Sequence, residues 1–235
     1  MKTDTAVELI NSVTPAEVER YARYLGGIVP TTNEELFRRW MFAYASVHTT
    51  WAMNCKLYRA LAPLDWLGDH TRLLDRIEST GAGMHNNRTM YISEFSEFFW
   101  DHPDWFWKNE LETWPAYRDR LREVAVGIGR AKSSFVVEMT YPVPAQVICT
   151  DTHVMQLYGR KPGDIGQGRV TDTEERKMED HWVKTCGSRK LPPVLGRWIF
   201  WDRKQGHSDP RYWSFVFEKQ NVYDQLDAAI KGVRT

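Results

Sequence analysis

Two stretches near the middle of the chain hold residues whose types and spacing can do chemistry. In Ile148-Cys149-Thr150-Asp151-Thr152-His153-Val154 an aspartate stands just before a helix-forming run. Asp151 reads as an N-cap, and a carboxylate fixed in that way can stabilise a developing positive charge and orient or deprotonate a nucleophile. In Val126-Gly127-Ile128-Gly129-Arg130 two glycines flank one apolar residue. That pattern predicts a tight turn between two helices, with positive φ where needed and Ile128 plugging the space between them. The N–H groups at the head of the Arg130 helix then point outward. With the helix dipole they form an anion site that grips a phosphate without reading a base. Taken singly, each stretch has a plainer use, as a helix cap or an ordinary glycine turn. Taken together they point to chemistry on DNA.

The composition limits how such a site can work. The chain has 235 residues, 42% of them hydrophobic, enough for one domain or two closely packed lobes. Its formal charge is zero, which argues against coating nucleic acid by bulk electrostatics. Any DNA contact must be local. Two segments are locally basic: Arg118 to Lys132, and Arg189 to Arg211 with Lys190, Arg197, Arg203 and Lys204. A charge run of this kind also serves as a solvated face. Three scattered cysteines, Cys55, Cys149 and Cys186, suit neither a disulfide framework, structural zinc nor a four-cysteine iron–sulfur cluster. No metal site is expected. The amino terminus lacks a signal-peptide pattern, and charges interrupt every later apolar run, so no membrane partner is expected and the predicted location is cytoplasmic.

The elements that must position these residues read as helices almost throughout. Thr14-Pro15-Ala16-Glu17 is a capping box with proline at the first helical position, and Gly26-Gly27 closes that helix. Asn33-Glu34-Glu35 opens a long apolar-rich helix, and another runs from Trp51 towards Pro63. Further helices fit Leu67–Ser79, Tyr91–Trp100, Pro115–Val124, Arg130–Met139, Thr152–Tyr158, Thr173–Cys186, Val194–Arg203 and Val222–Ile230. Alternation of strand length is absent. The fold class is therefore all-α, with Pro142 and Pro144 in an extended link between the two informative stretches.

With these elements in order, the chain resembles the helix-hairpin-helix (HhH-GPD) DNA glycosylase superfamily, of the endonuclease III type. Four motifs carry the resemblance. They are the Gly127-Ile128-Gly129 hairpin; Asp151-Thr152-His153-Val154; Ser46-Val47-His48-Thr49-Thr50, where His48 replaces the usual glutamine; and Gly83-Met84-His85-Asn86-Asn87-Arg88. The resemblance implies a two-lobed helical fold with the active site in the interlobe cleft. Residues 33–139 would form a six-helix lobe with the wedge and hairpin, and residues 1–32 plus 140–235 the other lobe. It also implies double-stranded DNA as partner, a monomer, and no cofactor other than a monovalent cation at the hairpin. Gly127, Ile128, Gly129, Arg130 and Lys132 would hold phosphates. Met84 would wedge into the duplex, with His48, His85 and Asn86 probing around it, because the target base must leave the stack before its glycosidic bond can be reached.

Cleaving that bond builds positive charge on the sugar, and Asp151 is the candidate catalytic carboxylate. Bifunctional members of the superfamily use a lysine two positions after the second glycine. Here that position is Ala131. Lys132 lies next to it, about 100° away around the helix, which predicts a monofunctional enzyme using water. The alternatives are a bifunctional glycosylase/lyase using Lys132, or a non-catalytic helix-hairpin-helix DNA-binding protein. Trp51, Tyr91, Trp198 and Trp201 could enclose an extruded base. A damaged base, implying repair, and a hypermodified phage base, implying defence, both fit.

Overall fold

The structure is a computed structural model that describes residues 1–161, 163 and 170–210. Eleven α-helices occur among the described residues, and no strand. They are α1 (Asp4–Ser12), α2 (Pro15–Gly27), α3 (Asn33–Ala45), α4 (Trp51–Leu61), α5 (His70–Ser79), α6 (His85–Asp101), α7 (Trp114–Val124), α8 (Arg130–Thr140), α9 (Thr152–Leu157), α10 (Asp172–Ser188) and α11 (Pro193–Lys204). A short 3-10 turn, Pro103–Phe106, follows α6. The helix expected at Val222–Ile230, and Arg211 of the second basic segment, lie outside the described residues. None of the described helices is long and apolar enough to cross a membrane.

The chain divides into two compact units. Met1–Val29 and the described residues from Val137 onward form one, and Pro30–Val136 forms the other.

In the first unit, the core gathers Ala6 and Ile10 of α1, Val154 and Met155 of α9, Met178 and Trp182 of α10, and Phe200 of α11. Burying each large apolar side chain contributes roughly 1.5–3 kcal/mol. Polar ties fix the helices' relative positions. The Tyr21 hydroxyl of α2 donates to Asp202 of α11 at 2.7 Å, and Arg203 pairs with Glu17 at 2.7 Å. Gly196 lets α11 approach closely, since a Cβ there would meet Leu191 at 2.9 Å and the Cys186 sulfur at 3.5 Å. Glu17 also closes the capping box of α2, accepting from the Thr14 N–H at 2.9 Å.

The second unit is built around α3, which is buried from Leu36 to Ala45 apart from half-buried Arg38. A helix apolar on nearly all sides is a central helix. Phe37 and Trp40 pack on Phe95 and Phe99 of α6 and on Phe106 of the 3-10 turn, with ring centroids 4.8–6.1 Å apart.

Two elements depart from expectation. Helix α1 was not foreseen; it is short, lacks a side-chain cap bond at Thr3, and is held by burial of Ala6 and Ile10. Helix α6 begins at His85 and not near Tyr91, because Met84 takes a left-handed conformation (φ +62°) immediately before it. A methionine at that position is not a recognisable start signal.

Candidate active site

Asp151 caps α9, with its Oδ1 accepting the Val154 N–H at 2.9 Å. Its other oxygen, Oδ2, faces Arg197 Nη2 at 3.4 Å, and the side chain keeps 18% exposure. The guanidinium reaches in two directions. Arg197 Nη1 lies 3.5 Å from Glu138 Oε2, and both of those side chains are essentially buried. Burial pushes the Glu138 carboxyl up to about 7, against the lowering effects of Arg197, the Cys149 N–H and a hydrogen bond from Trp198. Burial would lower the pKa of Arg197, but Glu138, Cys149 and Asp151 together raise it above the ordinary range. The sequence reading did not single out Glu138, and it placed Arg197 only in a basic surface segment. The structure corrects that placement, because the inner faces of α8 and α11 enclose the guanidinium.

The approach to Asp151 is laid on carboxylates. Glu179 accepts the Ile148 N–H at 3.0 Å, Glu138 accepts the Cys149 N–H at 2.8 Å, and Glu175 accepts the Thr150 hydroxyl at 3.1 Å. A non-helical segment buried from Val147 to Thr150 needs partners for its backbone, and these acids supply them from α8 and α10. The periodicity of α10 gave no hint of this use, since its Glu175 and Glu179 read as ordinary helix surface.

The hairpin separates the roles of its glycines. Gly127 has φ +81°, while Gly129 is not left-handed. A Cβ on Gly127 would lie 2.7 Å from Tyr91 Cε2 and closer still to Cδ2, whereas one on Gly129 would meet nothing within 4 Å. Gly127 is thus demanded by the fold, and Gly129 leaves open space beside the first turn of α8. Ile128 is buried between the helices. Arg130 is turned inward, 3.6 Å from Asp119, which also binds Arg118 at 2.7 Å. Both arginines are buried, so the first basic segment is largely an internal clamp between α7 and α8. The Arg130 side chain is therefore not presented to a phosphate. Half-buried Lys132 sits with Nζ 5.5 Å from the Phe135 ring centroid, on the α8 face next to Ala131.

The Gly83–Arg88 and Ser46–Thr50 segments come together through Arg88. Its guanidinium donates to the carbonyls of Gly83 (2.8 Å), Tyr44 (3.0 Å) and Val47 (2.5 Å). It thereby ties the Met84 turn to the end of α3 and the His48 turn. Met84 is 49% exposed. His48 is also exposed and left-handed, with φ +50°. His85 is half-buried, with Nε2 3.3 Å from Glu78, and Asn86 is exposed. The Tyr44 hydroxyl donates to the Val126 carbonyl at 3.1 Å, linking this cluster to the hairpin. Arg88 was quoted only as part of a motif; three carbonyls from separate segments converging on one side chain cannot be read from sequence.

The aromatic candidates divide between the two units. Trp198 is buried beneath the Glu138–Arg197 pair, and Trp201 is 9% exposed on the same helix. Trp51 and Tyr91 belong to the other unit; Trp51 packs edge-on against Phe42, and Tyr91 covers Gly127. Trp198 is thus a buried side chain, whereas Tyr91 is half-buried over the hairpin.

These elements define an all-helical, helix-hairpin-helix type of architecture. The crystal structure of Methanocaldococcus jannaschii 8-oxoguanine DNA glycosylase has the same fold, with a TM-score of 0.66, covering 86% of this chain and 93% of that one at 17% sequence identity. No protein-family model matches the chain, and no curated protein matches it.

Proposed function

We propose that this chain is a DNA N-glycosylase that turns a modified or damaged base out of the duplex and hydrolyses its glycosidic bond with water. The observation that carries this reading is the environment of Asp151. One oxygen is fixed by a helix cap, the other is partly open beside a cation, and the whole stands in a fold shared with a DNA glycosylase.

The chemistry follows from that placement. As the bond from C1′ to the base nitrogen lengthens, positive charge grows on the sugar, and a nearby carboxylate lowers the energy of that state. Asp151 orients a water, whose oxygen bonds to C1′ while its proton passes to the carboxylate. The departing base takes up a proton and leaves free. At the hairpin, the open space beside Gly129 lets a phosphate approach the first-turn N–H groups of α8. Exposed Met84 occupies the gap left by the extruded base, with His48 beside it through the Arg88 ties. Ala131, where a lyase would carry its lysine, favours water as nucleophile.

Release of free bases from DNA, followed by mass spectrometry, tests this reading. Duplexes containing 8-oxoguanine, deaminated or alkylated bases and genomic DNA of phages with hypermodified bases form the panel, with wild type set against Asp151→Asn. Release by wild type and not by the variant is expected. A variant with near-normal single-turnover rate removes Asp151 from the mechanism, and binding without release across the panel leaves only a DNA-binding role.

A further inference from the structure

We propose that Arg197 and Glu138 are positioning residues that set the charge at Asp151, with one buried guanidinium divided between two carboxyl groups. The inference rests on the glycosylase reading for its catalytic consequence, but its geometry stands by itself.

Arg197 has Asp151 on one nitrogen at 3.4 Å and Glu138 on the other at 3.5 Å. Neither contact is a tight bidentate pair, and the single positive charge is shared between the two acids through different nitrogens. The two acids are unequally placed. Asp151 retains some solvent and the α9 N–H, whereas Glu138 is fully enclosed. Of the two, Glu138 must therefore hold the proton more readily.

The groups acting on Glu138 come from α11 and from the segment before α9. Helix α11 supplies Arg197 and Trp198, and the segment before α9 supplies Asp151 and Cys149. From α10, Glu175 and Glu179 are taken up by Thr150 and Ile148. Arg197 is the only cation among these named groups.

The protonation of Glu138 consequently decides how Arg197 is shared. With Glu138 neutral, Asp151 is the one ionised member of the two acids on the guanidinium, and the three groups together carry no net charge. With Glu138 ionised, the cation is divided and the triad carries one negative charge beside the sugar. A more negative site favours a cationic transition state. The carboxyl of Glu138 titrates at about 7, within the range in which a DNA enzyme is assayed. Base excision is therefore expected to rise through neutral pH, by about tenfold for a coupling of one pKa unit.

Two readouts on the full-length chain test this. The first needs no DNA: protein labelled with 13C at aspartate carboxyls is titrated by NMR, with the Asp151 signal assigned by its loss in Asp151→Asn. The Asp151 signal should move a second time near neutral pH in wild type and not in Glu138→Gln. The second readout is the single-turnover pH profile on whichever duplex of the panel is cleaved. Its alkaline rise should flatten in Glu138→Gln, while Arg197→Lys, which keeps the charge but not the two-way reach, should shift the profile. An Asp151 signal that titrates identically in wild type and Glu138→Gln overturns the proposal, as does an unchanged rise in the variant's profile. A second Asp151 movement without base release from any DNA supports the charge sharing and overturns the glycosylase reading. Should Glu138→Gln fail to fold, Glu138→Asp replaces it; a displaced second movement then supports the coupling, and an unmoved one overturns it.

Discussion

The ring of Tyr91 fills the space that a Cβ on Gly127 would need. This contact joins α6, which begins just after Met84, to the hairpin that follows α7. It makes the first glycine of the hairpin a structural requirement twice over, through its positive φ and through the ring above it.

Gly127→Ala should therefore destabilise the protein by about 1–3 kcal/mol, read as a lowered urea midpoint. Adding Tyr91→Ala should relieve the overlap and leave the φ strain. Gly129→Ala is expected to behave differently, because its Cβ meets nothing. Its midpoint should stay near wild type while affinity for duplex DNA falls, measured by fluorescence anisotropy at low salt. Equal loss of stability in the two variants would contradict this division.

Arg88 makes a second prediction. Replacing it with methionine removes the guanidinium donor from the Gly83, Tyr44 and Val47 carbonyls. The Tyr44 carbonyl keeps the Val47 N–H at 3.3 Å and the part-buried Gly83 and Val47 carbonyls can turn to water, so a net loss of about 1–3 kcal/mol is expected. Because the same bonds hold the Met84 and His48 turns together, Arg88→Lys should retain more stability than Arg88→Met. It should nonetheless lose base-excision rate through slackened turn geometry. Thermal melts and single-turnover rates on the same preparations separate the two effects.

How far the sequence reached follows from what each feature depends on. The α2 capping box, the Gly127 turn and the Asp151 cap are local patterns, and each is present as the residues imply. The charge patterns misled: Arg118, Arg130 and Arg197 looked like surface and are buried; Arg130 and Arg197 meet Asp119 and Glu138 on other helices, while Arg118 is buried beside its neighbour Asp119. Glu138 itself sits among valines in an apolar helix, where only its oddity as a charge could have marked it. Large aromatics at helical spacing are most often core, and Trp198 is; that half-buried Tyr91 would cover Gly127 depends on a neighbour far off in the chain.

Lys132 tests the choice of nucleophile. Its ammonium lies over Phe135, and Ala131 occupies the position a Schiff-base lysine would take. Lys132→Ala should keep the base-excision rate within about threefold, as expected for a group outside the chemical step. Wild type should give no covalent DNA adduct on borohydride treatment. An adduct that disappears in Lys132→Ala would establish lyase chemistry and overturn the water mechanism.

Glu138 also leaves a signature in stability, and its sign is fixed. Its carboxyl titrates at about 7 in the folded chain against a reference of 4.5, so between those values the folded state binds more protons than the unfolded one. By linkage, stability must fall as pH rises through that window. The contribution is fully present below about 4.5 and lost once the pH passes about 7. At about 1.4 kcal/mol per unit, the loss is on the order of 3 kcal/mol, with the opposing pull of Arg197 already contained in the value of about 7. Glu138→Gln has no proton to lose, so its urea midpoint should vary less than that of wild type between pH 5 and 8, with the two curves converging at the acid end. A wild-type midpoint that rises across this window at the same rate as the variant's would show that Glu138 is already ionised in the folded protein at pH 5.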